Sequence, residues 1–250
     1  MSSFVQLFLL ALLGSILALI GGVVFLYNKK ASKLLESFSI SFAAGVLITI
    51  SILGLFPEAF EILEINGALV VLITFIVAFV IENFILELHH HHDAHHKRSL
   101  NSSATFIIIG DTIHNFIDGV AIGASFLLNP TLGFITALST LLHEVPHEIG
   151  DFGILLKIGW SRTKVLLVNI FSASFAIVGA LFVYFIGVNE ELIGVMMAVA
   201  AGMFLYLGTV DFLPHVVHEA NEGHTKKALF PLLLGVIIMS AVILLIPHSH

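Results

Sequence analysis

Apolar residues run along this chain in eight long blocks, at about 4–27, 36–56, 66–88, 103–127, 131–156, 165–187, 192–218 and 229–247, separated by short polar breaks. Each block has roughly the 20 residues that a helix needs to cross about 30 Å of hydrocarbon. The pattern predicts an all-α polytopic membrane protein with eight transmembrane helices, and a single transmembrane domain over residues 1–250. Composition agrees, because 58% of the residues are hydrophobic and only 11% are charged. A soluble core cannot hide that much apolar surface.

Charge orients the blocks. Cytoplasmic loops of membrane proteins collect Lys and Arg, and all ten such residues here follow odd-numbered blocks. Lys29, Lys30 and Lys33 follow the first, Lys97 and Arg98 the third, Lys157, Arg162 and Lys164 the fifth, and Lys226 and Lys227 the seventh. The opposite loops hold Glu58, Glu61 and Glu64, then Glu190 and Glu191. Both termini are therefore expected outside. The first block has no Lys or Arg before it and two Lys after it, so it reads as a span and not as a cleaved signal. The net charge of −7 is split between outer loops and intramembrane carboxylates, and no basic patch offers a nucleic-acid footprint. The chain has no Cys, so a metal site must draw on His, Asp, Glu or Asn.

One loop, 88–102, is polar and rich in His: His89, His90, His91, His92, His95 and His96. On this topology it is cytoplasmic, and such a tract binds metal weakly, either to capture ions or to sense them. The acceptor-like Asn101-Ser102-Ser103 faces the same side and is read as chance. An internal repeat is also visible. Ala43-Ala44-Gly45 precedes Phe56-Pro57-Glu58 by the spacing at which Ala200-Ala201-Gly202 precedes Leu213-Pro214-His215. With block 2 running outward and block 7 inward, the likeness relates blocks 1–3 to 6–8 by inversion, a pattern common in transporters.

Blocks 4 and 5 hold most of the intramembrane ionisable groups, each costing roughly 2.5–3.5 kcal/mol at a helix centre unless partnered. Asp111, His114, Asn115 and Asp118 recur at i, i+3, i+4 and i+7, which is one helical face. In block 5, His143, His147 and Asp151 form one stripe, and Glu144, Glu148 and Asp151 fill the adjacent face. Imidazole nitrogen and carboxylate oxygen suit zinc, and His pairs at i, i+4 converge on one ion. From spacing, His114, Asp118, His143 and His147 make one four-ligand site. Asn115 and Glu144 are placed to hold a second ion, with Asp118 or His147 bridging. Pro146 removes a donor within the helix and predicts a kink, while Gly119, Gly123, Gly150 and Gly153 predict close helix approach. The segment His143-Glu144-Val145-Pro146-His147 also matches the metalloprotease pattern H-E-x-x-H. Against a zinc-dependent intramembrane protease stand Pro146 inside the helix and an Asp118-Gly119 pair that precedes the motif.

The two segments, His114-Asn115-Phe116-Ile117-Asp118-Gly119 and His143-Glu144-Val145-Pro146-His147-Glu148-Ile149-Gly150-Asp151, together resemble the ZIP family of zinc transporters. The likeness is to its subfamily with the extended H-E-x-P-H-E-x-G-D motif. It extends to the span count, to the His-rich loop and to Ala201-Gly202-Met203-Phe204-Leu205-Tyr206. The resemblance implies a 3+2+3 inverted-repeat arrangement and a binuclear metal centre between spans 4 and 5. It further implies movement of zinc toward the cytoplasm, with His114, Asn115, Asp118, His143, Glu144 and His147 as ligands. It departs from the family pattern in span 6, where Ala176 and its neighbours stand in place of a carboxylate and Asn169 is the one amide. These 250 residues hold no counterpart of the large extracellular domain of many animal relatives, so the resemblance is expected to be to a minimal, prokaryotic-like form.

Glu58, Asp111, Glu148, Asp151, Asn169, Asp211 and His215 are candidate pathway residues. Without an ATP-binding loop, transport is expected to be secondary, by a carrier or a channel-like pore. The expected substrate is Zn(2+), with Cd, Fe, Mn and Co as competitors, in a multi-pass protein of the cell membrane or an organelle membrane. The bilayer is the other partner, with a homodimer as one oligomeric option. A metal sensor is the remaining alternative.

Overall fold

The computed structural model describes residues 2–27, 29–82 and 100–245, so the tract His89 to His96, with Glu87, His248 and His250, lies outside the described residues. Among those described the fold is all helix: α1 (Ser3–Gly14), α2 (Leu19–Tyr27), α3 (Lys29–Thr49), α4 (Phe56–Leu63), α5 (Ile65–Val80), α6 (Leu100–Leu128), α7 (Pro130–Lys157), α8 (Arg162–Ile186), α9 (Glu190–Tyr206), α10 (Leu213–Glu219) and α11 (Thr225–Leu245). Five stretches are long and apolar enough to cross a membrane: Ser3–Val24, Phe38–Leu63, Ile107–Leu128, Arg162–Ile186 and Glu190–Leu245. Ile65–Val80 is apolar but shorter. The α7 helix has the length, about 42 Å at 1.5 Å per residue, but carries Glu144, Glu148 and Asp151. The 56-residue stretch Glu190–Leu245 is interrupted at Gly223, whose φ of 88° lies in the left-handed region that glycine tolerates. The first apolar block is likewise two helices, α1 and α2, joined by a turn.

Small residues set which helices touch. A Cβ on Gly119 of α6 would collide with the Ala176 carbonyl of α8, and one on Gly179 of α8 would collide with the Phe116 carbonyl of α6. Backbone therefore lies on backbone, as small residues permit between membrane helices. With Thr112 beside Ser172 at 3.0 Å, the contacts advance together along both chains, so α6 and α8 run in the same direction. The same reasoning holds for α3 with α11, where Gly45 meets Leu232 and Gly54, just past α3, meets Ile243, and for α5 with α9, where Gly202 meets Val71 and Tyr206 meets Phe75. It holds again for the α1–α2 pair with α7, through Gly14 at Thr140 and Gly22 at Phe152. Gly150, by contrast, faces open space, so the expectation of close packing holds at Gly119 and Gly123 and fails there.

Two further features recur at matched positions. A wider, π-helical turn occupies Ile50–Leu55 just before Phe56-Pro57, and another occupies Leu207–Phe212 just before Leu213-Pro214. The two turns cross. The Ser51 hydroxyl donates to the Ala201 carbonyl at 2.7 Å, and Gly208 packs on Leu47 and Ile48. Contacts here advance in opposite senses, so α3 and α9 are antiparallel.

These directions place the described basic residues together. Lys157 ends α7, Arg162 and Lys164 open α8, and Lys226 and Lys227 open α11, all at one end of the bundle. At the other end Glu61, Glu64, Glu190 and Glu191, with Asn66, line a cavity of about 550 Å³. The outer surface is largely apolar. Leu69, Leu72, Ile73, Ile76 and Val77 of α5 and Leu167 and Phe171 of α8 are exposed, whereas the polar side chains turn inward.

Candidate metal centre

The centre is built on the α6–α7 hairpin. Asn129 caps α7 by accepting from the Thr131 amide at 2.8 Å, and Pro130 fits the first helical turn. A single residue thus links two long antiparallel helices. Their register is visible in facing pairs: Thr136 donates to Ser125 at 3.0 Å, and His143 faces Asp118. The polar stripes of both helices consequently meet. Asp111, His114, Asn115, Asp118, His143, Glu144 and Glu148 are all buried, while His147 and Asp151 are half-buried.

Ligand-type atoms of His114, Asp118, His143 and Glu144 all lie within 4.8 Å of one another. His114 Nε2 is 2.9 Å from Glu144 Oε1 and 3.8 Å from Asp118 Oδ2; His143 Nε2 is 3.1 Å from Asp118 Oδ2 and 3.9 Å from Glu144 Oε1. The ring of His143 is anchored at its other nitrogen, since Nδ1 lies 2.9 Å from the Ser139 carbonyl. A carbonyl can only accept, so Nδ1 donates to it, and Nε2 is the nitrogen that faces the carboxylates. That second bond is the usual way a ligating imidazole is oriented. Two imidazoles and two carboxylates suit a tetrahedral divalent ion of the zinc type, and two negative charges match a 2+ ion.

The grouping differs from the one spacing favoured. Glu144, not His147, joins His114, Asp118 and His143. His147 lies one turn further along α7, with Nδ1 3.7 Å from Asp111, in a group with Asp111 and Asp151. Asn115 is fully buried, but its Nδ2 donates to the Asp111 carboxylate at 2.8 Å and to the Asp111 carbonyl at 3.1 Å. Its Oδ1 has no hydrogen-bond partner.

Of the other candidates, Asn169 is buried, and its amide donates to the Val165 carbonyl in its own helix at 2.7 Å. Asp211 sits half-buried in the second π-helical turn, with the exposed His215 ring against its carbonyl at 3.1 Å. Glu58 is half-buried in the first turn of α4. Among the described residues Glu58, Asp211 and His215 join no ligand-type group with the central residues. The α7 helix runs unbroken through Pro146.

Two aromatic side chains that were not among the site candidates close the site, one from α9 and one from the turn that follows it. Phe204 stacks edge-on to His143 with ring centroids 5.2 Å apart, and Phe212 lies 6.4 Å from His147. Both are buried. Their only signal in the sequence is position, since each falls within or just after the block-7 segment Gly202 to Tyr206. They exclude water from one side of the ligands, which strengthens every electrostatic contact there.

The fold and the site together define a multi-pass helical membrane protein with a buried cluster of His and carboxylate side chains at its centre. Comparison with known proteins agrees. The family described as ZIP Zinc transporter matches residues 86–243, and the chain belongs to that family. Similar proteins include zinc transporter zipt-7.2 of Caenorhabditis elegans, 35% identical over 148 residues, covering 57% of this chain and 32% of that protein. Zinc transporter foi of Drosophila melanogaster is 39% identical over 149 residues, covering 59% and 20% respectively. Human zinc transporter ZIP10 is 39% identical over 155 residues, covering 54% and 19%. The chain thus spans about a third or less of the length of these relatives.

Proposed function

We propose that this protein is a secondary transporter that carries divalent metal, chiefly zinc, across a cell membrane toward the cytoplasm. The observation that carries the reading is the convergence of four buried ligand atoms, from His114, Asp118, His143 and Glu144, within 4.8 Å. Family membership supports it, and so does the naming of the similar proteins as zinc transporters. Asn115 and His147 complete the ligand set at the flanks of the cluster. The cargo is zinc, with Cd, Fe, Mn and Co competing for the same donors.

Eight spans in a 3+2+3 inverted repeat accommodate the fold. Support for the repeat comes from the matched π-helical turns before Pro57 and Pro214. Further support comes from the pairing of α3 with α11 and of α9 with α5, partners that an exchange of blocks 1–3 with 6–8 would interchange. Support for the orientation comes from the separation of Lys and Arg at one end from the acidic cavity at the other.

Transport proceeds by alternating access. Zinc enters past Glu58 and the acidic cavity and binds between α6 and α7. It leaves past Asp111, Glu148 and Asp151 toward Asp211 and His215 as the central hairpin moves against the flanking repeats. Asn169 acts on this path only through its own helix. A protease would hold Glu144 back from the metal as a base. Here the Glu144 oxygen converges with the other ligand atoms, which favours transport. Zinc uptake into proteoliposomes tests the proposal: loss of flux in the His143→Ala, His147→Ala double variant is expected, and flux at the wild-type rate would defeat it.

A further inference from the structure

Hydroxyl side chains within these helices commonly donate to the carbonyl four residues back. Ser15 donates to Ala11 at 2.7 Å, Thr49 to Gly45 at 2.7 Å, Thr112 to Ile108 at 2.6 Å and Thr209 to Leu205 at 2.6 Å. The Pro130 half of α7 departs from this habit. Thr136 donates across to Ser125 of α6 at 3.0 Å, and the hydroxyls of Ser139 and Thr140 have no hydrogen-bond partner. All four residues are fully buried. A buried hydroxyl without a partner destabilises the fold that holds it. Two of them in adjacent positions call for a polar partner that the packed helices do not supply.

Thr136, Ser139, Thr140 and His143 recur at i, i+3, i+4 and i+7, so the hydroxyls continue the ligand face of α7 toward Pro130. At 1.5 Å per residue they extend it by about 10 Å. On α6, Ser125 follows Asp118 by two turns on the same face. Ser139 touches the ligands directly, since its carbonyl lies 2.9 Å from Nδ1 of His143. Thr140 sets its Cβ and methyl carbon against Gly14 of α1, so its hydroxyl is the branch left over from that contact. Between Asp118 and His143 the chain has no ionisable side chain. Along the hairpin, these hydroxyls are therefore the buried polar groups that lie between the acidic end of the bundle and the imidazole cluster. The other side of the cluster is more open, with the His147 side chain 19% exposed.

We propose that Thr136, Ser139 and Thr140, with Ser125, form the outer stage of the ion's path, where hydroxyl oxygens replace water on a divalent cation as it passes from the acidic cavity to the His ligands. A neutral oxygen holds a divalent ion less tightly than a carboxylate does, so the ion sheds water there without being trapped. In this structure the stage is shut, while the Lys157 side of the cluster is open. Movement of the hairpin opens the stage to the acidic end and brings water and cation to the Ser139 and Thr140 hydroxyls. The inference rests on the transport reading and adds to it the residues that admit the ion.

The chain has no Cys, so a single introduced thiol reports access of water without background. In intact cells expressing the full chain, Ser139→Cys, Thr140→Cys or both are expected to react with a membrane-impermeant methanethiosulfonate added outside, and added zinc is expected to suppress the reaction. Ala137→Cys, at a position packed with Leu7, Ala11 and Ile122, is expected to stay unreacted. Inert thiols at both hydroxyl positions overturn the proposal, as does equal reaction of Ala137→Cys. Flux supplies a second measurement. In proteoliposomes, Ser139→Ala combined with Thr140→Val should slow uptake at low zinc concentration by about tenfold or more, the scale of two lost polar contacts. Zinc affinity of the cluster should stay at the wild-type value, and the unfolding midpoint should not fall, because the hydroxyls removed lack partners. Wild-type flux in this double variant overturns the proposal, and so does lost flux with a lowered midpoint, which would make the hydroxyls structural. A wild type that takes up no zinc defeats the transport reading, whereas a wild type that transports zinc while both thiols stay inert overturns this inference alone.

Discussion

Replacing Gly119 with Ala is a sharp test of how packing sets the metal centre. Gly119 follows the ligand Asp118 and lies against the Ala176 carbonyl of α8, where an added Cβ would collide. The obstacle is backbone, so no side-chain rotation relieves it, and the helices must part by about 1 Å or more. Overpacking of this kind costs typically 1–3 kcal/mol, against which Ala gains up to about 1 kcal/mol over Gly in a helix. The expected net loss is about 1 kcal/mol at the middle of these ranges and about 2 at most, or roughly fivefold to thirtyfold in the folded to unfolded ratio. The same displacement carries Asp118 away from His143, now 3.1 Å apart. A shift of that size in a ligand's support weakens metal binding by about 10–100-fold. Gly150→Ala is the control, since nothing lies within 4 Å of its Cβ position. It should be neutral or slightly stabilising. Denaturant titration in mixed micelles gives the stability, and competition with a chromophoric chelator gives the zinc affinity. If Gly119→Ala matches the wild type in both, or if Gly150→Ala is equally harmful, the packing argument is wrong.

Two other perturbations follow from particular contacts. Tyr206 at the end of α9 donates to Glu82, two residues past α5, at 2.7 Å, so Tyr206→Phe should destabilise the protein by about 0.5–1.5 kcal/mol, the range for a typical hydrogen bond; an unchanged unfolding midpoint would speak against that bond. Neutralising the acidic cavity with Glu61→Gln, Glu64→Gln, Glu190→Gln and Glu191→Gln should slow uptake at low zinc concentration by roughly tenfold at low ionic strength. The effect should fade in salt as screening shortens the field, and uptake at saturating zinc should hold. A defect that ignores salt would assign these residues another role.

The apolar blocks, the inward stripes on α6 and α7 and the polar side chains that line the centre were legible in the sequence for a local reason. Helical period and the cost of a charge in hydrocarbon act on each segment by itself, so Asp111, His114, Asn115 and Asp118 had to share a face wherever that face pointed. The alternation of Lys and Glu ends was legible for the same reason. Which members of two stripes meet at one point is not local. His143, Glu144 and His147 all lie within a turn, and spacing favoured the two His. The hairpin register set by Asn129 and Pro130 instead puts Asp118 opposite His143, so that Glu144 reaches His114 while His147 falls beside Asp111. That register likewise brings Glu148 to Asp111. Contacts between distant segments decided the rest. Gly119 meeting Ala176 and Gly45 meeting Leu232 fixed the parallel helix pairs, and Phe204 against His143 fixed the dry wall of the site. A sequence lists the side chains that must avoid lipid, and only the packed helices decide which of them share an ion.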